Sequence, residues 1–171
     1  MDAMSALEIR FKKAADGSAS LACIRSDGST TWQKDRTGGF FPIHDLTHYS
    51  VETVLGFRRA FFGVISEGWN LTDFGPPWPH GPLPAEALVA EHLVGLLDLE
   101  SASGQRMTAE EVNAALRMKL NEPLGASAVR EVRDDELARI RETRAELVAR
   151  WRNLRPGDTM TLRLEADRPP S

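Results

Sequence analysis

The stretch ALEIRFKK, residues 6–13, alternates apolar and charged side chains along most of its length. Leu7, Ile9 and Phe11 would share one face of an extended chain, an alternation typical of a β-strand with one buried face. Asp-Gly pairs at 16–17 and 27–28 separate it from the segments SLACIRS (20–26) and STTWQKD (29–35). Because Asp-Gly favours tight hairpins, residues 1–36 are predicted to form a three-stranded antiparallel meander.

A second alternating stretch, TMTLRLEA at residues 159–166, lies near the other end of the chain. Met160, Leu162 and Leu164 would share one face of this strand, and Pro156-Gly157 ends the segment before it. A single strand needs a sheet, and the other predicted strands all belong to the N-terminal meander. We therefore expect the strand at 158–166 to pair with one of those strands, with 6–13 as the expected partner.

The chain between residues 42 and 153 has helical periodicity instead. Gly38-Gly39 breaks the strand pattern, and Pro42 suits the first turn of a helix. Helices are predicted over 42–57, 58–69, 84–100, 111–120 and 134–153, and the proline-rich segment 70–84 is predicted to be an ordered loop or lid. The predicted fold is a single α+β domain over residues 1–171, in which a small antiparallel sheet packs against about four to five helices.

Composition narrows the classes of function. The formal net charge is −4, so there is no basic excess of the kind that nucleic-acid-binding proteins use. Hydrophobic residues make up 42% and charged residues 27%, as in ordinary soluble domains. Cys23 is the only cysteine, which excludes an internal disulfide. Without a membrane-length apolar run or a signal-peptide pattern, we expect a cytoplasmic protein that binds neither membranes nor nucleic acid.

Two of the four histidines lie in FFPIHDLTHYSVE, residues 40–52. On a helix, His44 and His48 are one turn apart on one face, and Asp45 and Glu52 lie close to that face. Two imidazoles at this spacing can bind one metal ion. The segment therefore predicts a site for a divalent metal, zinc being the expected ion, with Asp45 or Glu52 transferring the proton.

A metal site needs a further ligand, and the residues themselves leave it open. Glu52 lies about 12 Å along the helix axis from His44, which suits a hydrogen bond to His48 better than direct coordination. Other polar residues could approach the pair only through the tertiary fold. The candidates are Asp45, Glu52, Glu67, His80, Glu91 and His92.

A resemblance covers most of the chain. The segments GGFFPIHDLTHYSVETVLGFRRAFFGVISEGW (38–69), DGSTTWQ (27–33) and LRPGDTMTLRL (154–164) resemble a family of small uncharacterised bacterial proteins. This likeness implies a bacterial protein of a recurring type, and it implies no particular activity.

Two characterised families are similar in the local motif HDLTH (44–48). Coenzyme-Q-biosynthesis proteins carry an HDxxH zinc motif that His44, Asp45 and His48 match, although Ala60 stands where that family has its downstream glutamate. Thermolysin-like metallopeptidases carry HExxH, and that resemblance implies Glu67 as the third metal ligand. In this comparison Asp45 replaces the general-base glutamate with a side chain that is one methylene shorter.

Two functions are consistent with these observations. The first is a metal-dependent hydrolase or lyase that acts on a small-molecule substrate, with the loop from Asn70 to Pro84 covering the site and Trp78 packing against the histidine helix. The second is a non-catalytic interaction protein, a homodimer among its forms, in which the helix 134–153 presents its charged face. In that case the histidine face would be an ordinary polar helix surface.

Overall fold

The structure, a computed structural model, describes residues 6–35, 40–125 and 129–165. Its elements in chain order are β1 (Ala6–Lys13), β2 (Ala19–Ile24), β3 (Thr30–Asp35), α1 (Phe40–Leu55), α2 (Phe61–Ser66), a 3₁₀ turn (Leu71–Asp73), α3 (Ala85–Ser103), α4 (Ala109–Leu124), α5 (Asp134–Asn153) and β4 (Thr159–Glu165). Within those ranges the predicted α+β class is confirmed, with four strands and five α-helices. The predicted Gly38-Gly39 break and the predicted strand end at residue 166 lie outside the described residues.

The four strands form one antiparallel sheet in the order β3-β2-β1-β4. The predicted pairing of the two ends of the chain is confirmed, because β4 pairs with β1 from Ala6 opposite Glu165 to Lys12 opposite Thr159. Apolar residues on alternate positions of β1, β2 and β4 are buried against the helices. The helices therefore cover one face of the sheet, and the charged positions between the apolar ones face away from it.

Helix α1 is the central helix of the fold. Leu46 belongs to the hydrophobic cluster beneath the sheet, whereas Val51 belongs to a second cluster formed with α3, α4 and α5. Because α1 packs on both sides, most of its polar residues are buried or half-buried, and Thr53 is the exposed exception. The exposed fraction of His48 is 2% and that of Glu52 is 0%.

Several helix boundaries differ from those predicted, most clearly those of α1 and α2, while α3 and α4 extend beyond their predicted ends to Ser103 and Leu124. Helix α1 ends at Leu55, because Gly56 adopts a left-handed φ of 67°, the conformation that commonly ends a helix. Helix α2 covers only Phe61–Ser66 of the predicted 58–69. Among the described residues, no helix has both the length and the apolar character needed to span a bilayer.

The proline-rich segment 70–84 is fastened to the sheet side of the molecule. Arg25, in the β2–β3 connection, donates a hydrogen bond to the carbonyl oxygen of Trp69. The backbone N–H of Leu71 donates to Oγ1 of Thr31 at 3.0 Å. The ring of His80 stacks on Trp69 with centroids 4.5 Å apart. These contacts hold the segment in one place although most of it is neither helix nor strand.

Candidate metal centre

His44 and His48 lie one turn apart on α1 and meet a carboxylate from α3. Their ring centroids are 4.9 Å apart. One carboxylate oxygen of Glu91 lies 3.2 Å from Nε2 of His48, and the other lies 4.0 Å from Nε2 of His44. One ligand atom from each of the three residues lies within 4.8 Å of the other two. Metal–ligand bonds of about 2.0–2.2 Å place the ligands of one ion roughly 3–4 Å apart, so small shifts of these side chains would let the group hold a single divalent ion.

Asp98 fixes the orientation of His44. Nδ1 of His44 donates a hydrogen bond to a carboxylate oxygen of Asp98 at 2.7 Å, which leaves Nε2 with its lone pair on the side of Glu91. Arg144 of α5 lies 3.6 Å from the other Asp98 oxygen and donates to Oγ1 of Thr47 at 2.8 Å. Carboxylates hydrogen-bonded in this way set the tautomer and direction of metal-binding histidines.

His48 is enclosed by protein on most sides. Its ring lies against Phe61, with centroids 5.0 Å apart, and its Nδ1 has no hydrogen-bond partner among the described residues. Burial lowers the pKa of His48, although the hydrogen bond and the charge of Glu91 act in the opposite direction. His48 is therefore neutral at pH 7, which is the form of imidazole that binds a metal.

His44 and Glu91 differ from His48 in their ionisation. Burial lowers the pKa of His44, but the hydrogen bond and charge of Asp98, together with other nearby carboxylates, outweigh burial and raise the pKa above its ordinary 6.5. The hydrogen bond to His48 lowers the pKa of Glu91 against the opposing effect of burial. The group therefore holds an ionised carboxylate beside one imidazole that attracts a proton. A divalent cation bound to Nε2 of His44 in place of this proton would likewise put positive charge beside the Glu91 carboxylate.

Asp45 lies beside this group and, with His44, His48 and Glu91, lines a cavity of about 380 Å³. Burial raises the pKa of Asp45 to about 7; the charge of His44 lowers it in part, and the neighbouring carboxylates raise it further. A carboxyl group that both holds and releases a proton near neutral pH is suited to general acid–base catalysis. The role of Asp45 in proton transfer stays a prediction.

Glu67 and Glu52 lie elsewhere than the sequence suggests. Glu67 is half-exposed and forms an ion pair with Arg59 at 3.1 Å, and it does not belong to the ligand group. The carboxylate of Glu52 accepts hydrogen bonds from the backbone N–H groups of Phe62 and Gly63 at the start of α2. Glu52 therefore holds α2 against α1. The carboxylate that meets the histidines comes from α3 instead, because α3 packs on the histidine side of α1.

The other candidate ligands also lie outside the group. His80 is 2.9 Å from Asp73 within the proline-rich segment. His92 follows Glu91 on α3 but does not take part in the described ligand group. Among the six candidates, Glu91 is the one whose carboxylate belongs to the described ligand group with the two histidines.

Asp98 is a residue of the site that sequence reasoning missed. It lies seven positions after Glu91, about two turns along α3, and so both carboxylates project from one side of that helix. Most of the residues between them are apolar. Two acids separated by two turns in a largely apolar helix are the signal that could have identified it.

Comparisons of the chain with protein-family models, with curated proteins and with solved structures find no match. The resemblance of HDLTH to the HDxxH and HExxH motifs therefore stays a prediction. Ala60, which stands where the HDxxH family has its glutamate, is buried just before α2. Here it is Glu91, from another helix, whose carboxylate lies beside the histidine pair.

Proposed function

We propose that the protein is a divalent-metal-dependent enzyme of the hydrolase class, with zinc as its ion and His44, His48 and Glu91 as its ligands. The observation that supports this proposal is the convergence of these three side chains on the wall of a cavity of small-molecule size. Two imidazoles and one carboxylate are a donor set that zinc accepts, and three protein ligands leave a position open for water or substrate.

The surrounding residues have separate roles in this proposal. A divalent ion in the group would act as a Lewis acid and lower the pKa of a bound water. Asp98 keeps the His44 ring in place through the bond to Nδ1. Asp45 lines the cavity next to the ligands and would accept and return the proton during the reaction. Glu91 is about half-exposed, so the ion could enter from solvent on that side.

Metal binding is the first test. Zinc is titrated calorimetrically into tag-free, metal-stripped protein, and we expect saturable binding to a single site. Glu91→Gln should weaken binding at least about tenfold, whereas Glu67→Gln is the matched control and should leave it unchanged. Absence of zinc binding would overturn the proposal, and so would equal weakening by both glutamine variants.

Catalysis is the second test. A panel of nitrophenyl esters and nitroanilides of apolar acids is incubated with the zinc-loaded protein, with and without a chelator. We expect turnover that disappears with the chelator and in His48→Ala. Asp45→Asn should lower turnover by about 100-fold while zinc affinity changes little, because Asp45 acts on the proton and not on the ion. Turnover that persists in His48→Ala, or in the presence of chelator, would contradict a metal-dependent reaction.

A further inference from the structure

The cavity beside the ligand group is large enough to bind an organic molecule. Its volume of about 380 Å³ lies within the range of small-ligand sites, and exceeds the roughly 150 Å³ of an engineered apolar cavity that accepts benzene. Its walls come from the inner face of β1, β2 and β3, from the start of α1, from Phe61 and from the proline-rich segment. His44, His48 and Glu91 all line it, so a molecule inside would reach the ligand group directly.

Most of the remaining wall is apolar, and it would favour a hydrocarbon or aromatic group. The apolar side chains come from the sheet, from α1 and α2, and from the proline-rich segment. Prominent among them are Phe11, Leu21, Phe41, Phe61, Phe74 and Trp78. A ligand that places its apolar part against these residues gains the free energy of removing that part from water. Its polar end would then point to the histidines.

The charged residues at the cavity are acidic. Asp35, Asp45 and Glu91 line it, and no lysine or arginine of the described residues does. Glu91 would be neutralised by an ion bound to the ligand group. Asp35 would remain as an acidic group on the same wall, near enough to Asp45 for its charge to help raise the pKa of that carboxyl, and it would repel a carboxylate or phosphate of a ligand. The cavity therefore disfavours a molecule with an anionic tail.

Trp78 occupies an unusual place in this wall. It is the one non-glycine residue in the described ranges with a positive φ, 55°, a conformation that is strained for a bulky side chain. Its backbone is held by hydrogen bonds from the Trp78 N–H to the Gly75 carbonyl and from the Gly81 N–H to the Trp78 carbonyl. The indole lines the cavity and is 44% exposed, so it forms part of the cavity mouth. The strained residue therefore lies where its ring can cover a bound apolar group.

We propose that this cavity binds an uncharged, mainly apolar small molecule whose one oxygen-bearing group binds the ion, and whose apolar part lies against the wall that includes Trp78. This inference rests on the proposed metal centre, because the ion is what holds the polar end. The substrate class that follows is a neutral ester, amide or related carbonyl compound with a hydrocarbon or aromatic substituent.

Three hydroxamic acids, which chelate zinc through the same head group, test this inference by calorimetry on the zinc-loaded protein. Hexanohydroxamic acid should bind at least about tenfold more tightly than acetohydroxamic acid, because its longer tail is buried in the cavity. The monohydroxamic acid of adipic acid has a tail of similar length that ends in a carboxylate. It should lose most of that gain, because the carboxylate meets an acidic wall.

Two variants of the cavity wall complete the test. Trp78→Gly keeps the positive φ accessible and removes the indole, and it should reduce the preference for the hexanoyl tail without changing the affinity for acetohydroxamic acid. Trp32→Ala removes another exposed tryptophan, on β3 and outside the cavity lining, and should leave both affinities unchanged. Thermal unfolding of each variant confirms that the fold is kept.

The possible results separate this inference from the proposed function. If zinc itself does not bind, the metal centre and the ligand class are both overturned. If zinc binds but the three hydroxamic acids bind equally, only the ligand class is overturned. An unchanged tail preference in Trp78→Gly would also overturn it, because the tail would then lie elsewhere.

Discussion

Asp45→Asn should stabilise the metal-free protein at neutral and alkaline pH. The pKa of the Asp45 carboxyl rises from an ordinary 3.8 to about 7, chiefly because the group is buried. A tenfold change in an ionisation constant corresponds to about 1.4 kcal/mol, so this rise costs the folded state about 4 kcal/mol once the carboxyl is ionised in both states. Asparagine has a similar shape and carries no charge, so the variant avoids this cost.

The sign follows from proton binding. Below pH 3.8 the carboxyl is protonated in both the folded and the unfolded chain, and its ionisation has no effect on stability. Between pH 3.8 and about 7 the unfolded chain releases the proton while the folded chain keeps it, so wild-type stability falls as the pH rises. Above about pH 7 the carboxyl is ionised in both states, and the loss of wild-type stability no longer changes with pH. The difference in stability between Asp45→Asn and wild type should therefore grow through this window and then level off.

Urea unfolding at a series of pH values, with a chelator present, measures this difference. We expect Asp45→Asn to gain at least about 2 kcal/mol relative to wild type between pH 4 and pH 8. Asp16→Asn is the control of opposite sign: the hydrogen bonds from Ser18 lower the pKa of Asp16, so its removal should cost stability only above the acid range. A difference for Asp45→Asn that does not change with pH would refute the reasoning.

Three further predictions concern the supports of the site and of the sheet. Asp98→Asn should weaken zinc binding by about 10- to 100-fold in calorimetry, because His44 loses the acceptor that orients it, and unchanged affinity would contradict that role. Glu52→Gln should lower the free energy of unfolding in urea by about 1–3 kcal/mol, because the Glu52 carboxylate accepts hydrogen bonds from the start of α2, and it should leave zinc affinity nearly unchanged. Weaker zinc binding with unchanged stability would instead indicate a role for Glu52 at the metal site. Ending the chain at Arg155 removes β4 with its buried Leu162 and leaves β1 as an exposed edge of the sheet, so cooperative thermal unfolding should be lost. An unchanged melting temperature of the truncated protein would contradict the importance of this pairing.

The strands could be predicted from the sequence because their signals are local. Alternation at 6–13 and 159–165 and two Asp-Gly turns set the period and the reversals of the chain within a few residues of each position. The partner of the last strand followed by elimination, since the other predicted strands were together at the N-terminus. The extent of α2 was harder to predict, because its first N–H groups donate hydrogen bonds to the carboxylate of Glu52, which belongs to the preceding helix.

The candidate site could be predicted only in part for the same reason. His44 and His48 are related by one helical turn, and that relation is visible in any helical reading of the segment. Glu91 and Asp98 reach them across the packing of α1 on α3, which no periodicity within either helix reveals. From the sequence, Glu91 was one of six candidate ligands, and only the contact between α1 and α3 distinguishes it from the others. The burial of this face was also unexpected, because it follows from α1 packing on both sides.

The distribution of unfavourable features argues that this face of α1 is more than a polar helix surface. His48 has a buried nitrogen without a hydrogen-bond partner in the described structure, and burial raises the pKa of Asp45 to about 7. Trp78 holds a strained backbone conformation. Each feature costs stability, and an apolar residue or glycine would remove each cost. All three residues line the same cavity. Unfavourable features concentrated around one cavity are expected at sites that bind a ligand or transfer a proton. They are not expected at a site that serves only packing.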